Sequence, residues 1–200
     1  MKVKILLVLF VLNSSYNFAQ IDNYDSLNFT FDKLSLSEEY DSALVIAQQI
    51  KVYALQNNGD TSLRYINSLC NVGKCFNNLF AEDSALTYLN NAYNKLALTG
   101  NLESRQAGYC FHLLGLVYEN LSEFQLAEIN YKKSLQIRSN FLIEHPVDYA
   151  KTVNALGDIN FYNSNFNLAE EYYLKVLNLD TIGSRELIFF FPTVLSNLGD

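Results

Sequence analysis

Two residues of this 200-residue chain have the types and the spacing to form a reactive pair. Cys70 lies three residues before Gly73, and His112 lies three before Gly115. A thiol and an imidazole held side by side can generate a thiolate nucleophile, with the imidazole as base. Such a pair needs a third group to orient the base, and the sequence shows none. Asn154 and Ser196 fill the same slot at the next two intervals, so the position reads as a ladder of varied side chains and not as a catalytic dyad. There is no phosphate-cradling glycine loop, no HExxH, no GxSxG and no paired-cysteine metal spacing. Three cysteines and two histidines are too few for a repeated metal framework. The expectation is a non-enzymatic protein with no catalytic residues, no metal and no cofactor. The carboxylate pairs Glu38-Glu39, Glu82-Asp83 and Glu170-Glu171 read as charges near helix starts, where the dipole favours them. Cys75 and Cys110 read as small buried apolar groups. A Cys70–Cys110 or similar bridge stays open if the compartment is oxidising.

The elements that position these residues must be helices. Half of the chain is apolar and 18% is charged, with two prolines, eight glycines, no Trp, and fourteen each of Tyr and Phe as bulky packing groups. That balance favours an all-α fold over turn-rich sandwiches. Fourteen Lys and Arg against 21 Asp and Glu give a net charge of -7, without the basic excess that phosphate neutralisation requires, so nucleic acid is not an expected partner. Lys2 and Lys4, the apolar run 5–12 and the polar lead to Ala19-Gln20 read as a secretory signal peptide over residues 1–20. No stretch is long and apolar enough to predict a membrane span. The expected location is outside the cytoplasm, in the periplasm or cell envelope or secreted.

Self-similarity organises the rest. Gly73, Gly115, Gly157 and Gly199 recur every 42 residues, and Ala43, Ala85, Ala127 and Ala169 keep the same step twelve residues after each glycine slot. A helix-interior glycine costs ~1 kcal/mol relative to alanine, so its recurrence implies a close helix crossing. The segment 109–120 carries Phe111, Leu114 and Tyr118 on one face beside Gly115, and 124–137 repeats the pattern with Ala127, Tyr131 and Leu135. Each unit is thus a helix A and a helix B, with Ser122 and Gln125 as a capping box before helix B of the third unit. Gly59, Gly100 and Gly183 read as helix C-caps between units. The predicted organisation is a solenoid over 21–200, with units at about 23–59, 60–100, 101–143 and 144–183 and a partial fifth at 184–200. Phe31 in the first glycine slot, Asn160 in an aromatic slot, and Ser134 and Val176 where Ala92 is small are departures from the pattern. The aromatic run 188–191 reads as core. A HEAT or armadillo-like stack has similar repeat lengths but lacks this Leu-Gly and Ala phase.

The pattern of Leu-Gly, Tyr118, Ala127 and Tyr131 resembles the tetratricopeptide repeat, in the long 42-residue form of kinesin light chains and bacterial arrays. The run Glu144 to Asp158 is similar to the His-Pro-Asp-x-Ala lead-in of that class, with Val147 inserted, and predicts a helix starting just after Pro146. The resemblance implies a right-handed superhelical solenoid of antiparallel hairpins whose A helices line a concave groove for a peptide or a partner's helix. Its groove-facing slots fall on Asn67, Cys70, Lys74 and Asn77, then Tyr109, His112, Leu116 and Glu119, then Lys151, Asn154, Asp158 and Phe161. Amides there can pair with an extended peptide backbone, and Lys74 and Lys151 can meet a carboxylate. The expected function is an exported protein-interaction scaffold. The alternative is an N-terminal regulatory or sensor region of a larger bacterial protein, with a caspase-like peptidase or histidine kinase downstream, since Asp200 falls in the middle of a unit.

Overall fold

The computed structural model describes residues 24–179, together with Val194 and Ser196. The proposed signal segment, Gly183, Gly199 and the aromatic run 188–191 lie outside the described residues. Among the described residues the regular structure is helical throughout. Eight α-helices follow one another: α1 (Tyr24–Leu36), α2 (Tyr40–Asn58), α3 (Leu63–Asn78), α4 (Glu82–Leu98), α5 (Arg105–Asn120), α6 (Phe124–Ser139), α7 (Pro146–Tyr162) and α8 (Phe166–Leu177). Each helix packs on its neighbour in sequence, and α3, α5 and α7 also pack on one another in that order. That pattern of short-range contacts is a solenoid.

The turn between the two helices of each pair is the same four times. Glu38, Phe80, Ser122 and Ser164 each adopt a positive φ of 56–61°, and they are spaced by 42 residues. The next residue in each case bonds back across the turn, as Glu39 N–H to Leu34 O, Ala81 to Phe76, Glu123 to Tyr118 and Asn165 to Asn160, at 2.8–3.0 Å. This closes helix A with a left-handed residue and releases helix B at a fixed angle. Ser122 is therefore part of the turn, which corrects the capping-box reading: Glu123 is the N-cap of α6 and no side chain caps it. The left-handed backbone there outweighs the preference of Ser for a cap.

Side-chain capping occurs instead at the A helices. Ser62 accepts from Tyr65 N–H and Ser104 from Ala107 N–H, each at 3.2 Å, so α5 begins four residues before the apolar stripe at Tyr109. Pro146 stands at the start of α7, where its missing N–H costs nothing. Gly59 and Gly100 take φ of +82° and +70° where the chain leaves α2 and α4.

The glycine ladder marks the tight crossings within hairpins. A Cβ built on Gly73 would lie 2.8 Å from Leu89 Cγ, and one on Gly115 2.5 Å from the Tyr131 ring; Gly157 meets Tyr173 in the same way. Each contact joins a glycine to the residue sixteen positions later. Ala43, Ala85, Ala127 and Ala169 are buried beside these crossings. In the first unit Phe31 stands in the glycine slot, itself buried, with Lys74 Nζ 5.4 Å from its ring centroid.

Candidate functional site

The A helices α3, α5 and α7 bring the slot residues onto one side of the stack. Lys151 and Phe161 are exposed; Asn67, Lys74, Tyr109, Leu116, Glu119 and Asp158 are half-buried; Cys70, Asn77, His112 and Asn154 are buried. Cys70 has 0% of its surface accessible, so its thiol belongs to the core. It is hydrogen-bonded with Cys110, and that contact together with burial drives its pKa well up, opposite to what a nucleophile needs. All three cysteines are free, and burial also pushes Cys75 up to about 11.

His112 faces Thr152, whose Oγ1 is 3.3 Å from Nδ1, and its ring lies 5.5 Å from that of Tyr131. Burial pulls its pKa well down, and Arg138, Lys151 and Lys74 add to the effect. A neutral imidazole and a protonated buried thiol leave the Cys70/His112 pair without the charges that thiolate chemistry requires.

Most of the remaining slot residues are tied to neighbours. Asn77 Oδ1 accepts from Asn120 Nδ2 at 3.1 Å, and the Tyr109 hydroxyl donates to Asn71 Oδ1 at 3.3 Å, both across the α3/α5 boundary. Asn154 Nδ2 donates to Asp158 Oδ2 at 2.9 Å, and the Tyr173 hydroxyl donates to the other oxygen at 2.8 Å. Glu119 accepts from the Tyr131 hydroxyl at 2.5 Å. Burial raises the pKa of both carboxyls; the tyrosine hydrogen bonds oppose this, and the charge of Asp158 raises Glu119 further. A shallow cavity of about 240 Å³ is lined by Asp158, Phe161, Tyr162, Tyr173 and Ser196.

The slot reading omitted Asp32 and a set centred on Arg138. Asp32 holds the place of Lys74 one unit earlier; burial raises its carboxyl while Lys74 and Lys151 pull it down. Lys74 in turn is lowered by burial and by the charge of Lys151. Lys74 therefore senses the charge of Lys151 although the two come from different units. Arg138 enters from helix B: its Nη1 donates to Asp148 O at 2.5 Å and to Thr152 Oγ1 at 2.6 Å. The signal for this set was present in the period, because Arg138 and Thr152 stand 42 residues after Leu96 and Cys110.

Among the described residues no three His, Cys, Asp or Glu side chains gather to hold a metal ion, and no helix is long and apolar enough to cross a membrane.

Sequence and structure comparisons agree with the helical-repeat fold. Residues 109–141 and 150–181 each match the sequence profile of the tetratricopeptide repeat. No curated protein matches the chain. Among solved structures, BtubC (BKLC) from P. vanneervenii superposes with a TM-score of 0.61 at 18% identity, over 83% of this chain and 66% of that one. The nearly identical TPR-like repeats of a Podosopora anserina protein described as a kinesin light chain superpose with a TM-score of 0.62 at 14% identity, over 80% of this chain and 78% of that one. At these identities the likeness is one of fold. The chain spans just under two thirds of the length of the first of these proteins.

Proposed function

We propose that this chain, two stretches of which match the tetratricopeptide repeat and whose fold is that of such repeats, is a non-enzymatic interaction scaffold, holding a peptide or a partner's helix against the side lined by α3, α5 and α7. The observation that carries this reading is the stacking of α3, α5 and α7, which brings Asn67, Lys74, Tyr109 and Lys151, all half-buried or exposed, to one side of the array. Lys74 and Lys151 both act on the Asp32 carboxyl, and two cations around that one acid favour a ligand that brings further negative charge. Exposed Lys151 and the half-buried Asn67 and Tyr109 add polar groups along the same side. On the strength of residues 1–20 we place the scaffold outside the cytoplasm.

Site-directed photocrosslinking in the native cells tests the proposal. A benzophenone side chain at position 67 or 151 is expected to trap one defined protein, while the same probe at Thr87 or Ile129, exposed on helices α4 and α6, traps none of it. Equal trapping from both sides would remove the groove reading. Retention of the chain in the cytoplasm of those cells would remove the assignment to the envelope.

A further inference from the structure

The thiols of Cys70 and Cys110 meet across the boundary between the second and third units. Cys70 stands on α3 and Cys110 on α5, helices that pack directly on each other. Both belong to one core cluster with Ile66, Leu69 and Leu113, Cys70 with 0% and Cys110 with 1% of its surface accessible. The two are hydrogen-bonded to each other, and Cys110 Sγ also donates to Leu89 O at 3.5 Å.

The next boundary gives an independent measure of this register. His112 and Thr152 stand 42 residues after Cys70 and Cys110, and there Nδ1 and Oγ1 are 3.3 Å apart. The repeat therefore brings this pair of slots together wherever it recurs, and at the boundary of units two and three cysteine fills both. Cys75 has no part in the pair. It lies five residues further along α3, in a different cluster, packed with Phe31, Ala47 and Ile50 of the first unit.

We propose that Cys70 and Cys110 are the two halves of a structural disulfide that ties unit two to unit three and leaves Cys75 as a thiol. The bond rests on the export reading for its oxidising compartment. Its oxidant is a disulfide, of a small thiol or of an oxidoreductase. The thiolate of one cysteine attacks a sulfur of that disulfide, forms a mixed disulfide and expels one thiolate; the second cysteine then attacks the sulfur of the first and expels the other. The two protein thiols give up two electrons and two protons, and the donor disulfide becomes two thiols. Neither sulfur is open to solvent once the units have docked, so the exchange takes place while the chain folds. The burial that keeps an oxidant out of the finished fold also shields the bond from reductants. The link closes a loop of about 40 residues in the unfolded chain, a constraint that favours the docked helices. Little is lost in exchange: S–H is a weak donor, and Leu89 O lies inside α4, whose own N–H groups serve its carbonyls.

Two readouts on the full chain test the bond and the compartment separately. In the first, the protein is refolded from urea in a glutathione redox buffer, alkylated with maleimide under denaturing conditions and weighed by mass spectrometry. Of its three cysteines the wild type is expected to alkylate one, and digestion is expected to yield peptides holding Cys70 and Cys110 joined through sulfur. Cys75→Ala is expected to take up no maleimide, and Cys110→Ala to keep both of its remaining thiols free. Wild type folded with the bond is expected to melt about 5–10 °C above the same protein folded in excess dithiothreitol. Three maleimides on the wild type, or a link that includes Cys75, overturns the pair. In the second, native cells are quenched with acid and alkylated before and after reduction. One label before reduction and three after are expected. Three labels before reduction, with the bond formed in the redox buffer, would leave the pair standing and remove the assignment to the envelope.

Discussion

The ring of Tyr131 lies across the backbone of α5 at Gly115, so close that a Cβ on the glycine would sit 2.5 Å from two ring carbons. The same tyrosine carries its hydroxyl over the helix to Glu119, twelve residues back in sequence. One contact thus sets the depth of the hairpin and fixes a carboxylate that lines the groove. Tyr173 repeats both halves of the relationship one unit later, with Gly157 and Asp158. Packing and ligand-facing chemistry are joined by the same side chain, and burial with the nearby carboxylates raises the phenol pKa of both tyrosines.

Phe80 is a bulky side chain in a left-handed turn, with φ of 56° and 83% of its surface accessible. It gains little from burial there, and a non-glycine residue in this region costs about 1 kcal/mol. Phe80→Gly is expected to stabilise the protein by about 0.5–1 kcal/mol in urea unfolding, with an unchanged circular dichroism spectrum. A loss of stability would mean that the ring makes contacts that outweigh the backbone strain.

His112 makes folding sensitive to acid. Its pKa is depressed in the folded protein by burial first and then by Arg138, Lys151 and Lys74, whereas the unfolded chain protonates near 6.5. Stability from this residue is fully present above pH 6.5 and falls as pH drops below it, because the unfolded state then takes up the proton. The fall approaches about 1.4 kcal/mol per pH unit. His112→Asn, using the residue found at position 154, is expected to unfold with a shallower pH dependence between 6.5 and 5. Parallel profiles for the two proteins would show that the imidazole becomes protonated in place.

Lys151 and Asn154 occupy neighbouring slots but differ in attachment. Lys151 is exposed, and Lys151→Ala is expected to change stability by less than about 0.5 kcal/mol while weakening an acidic groove ligand. Asn154 is buried and bonded to Asp158, so Asn154→Ala is expected to cost about 1 kcal/mol in addition to any effect on binding. Urea titration of both variants separates the two cases.

The helices and their interval were legible because each unit repeats the same local steric requirement: glycine where a bulky side chain crosses, alanine where the next turn approaches. Gly115 and Ala127 alone announce that arrangement. Ser122 misled because its preference for capping is a local statistic, while the turn demands a left-handed residue whatever its type. Cys70 shares a slot with His112, yet it packs against Cys110 and is lost to the core. Arg138 was hidden for a different reason. A charged residue near the end of an amphipathic helix reads as solvated, and only its register with Leu96 and the gap left by Gly108 reveal that it is buried.

A double-mutant cycle between positions 115 and 131 tests the nesting of the hairpins most directly. Gly115→Ala in the wild type is expected to cost about 2 kcal/mol, because the added methyl group meets the Tyr131 ring. In a Tyr131→Ala background the same substitution is expected to be neutral or to stabilise by up to about 1 kcal/mol, as alanine replaces glycine in an uncrowded helix. An equal cost in both backgrounds would contradict the account.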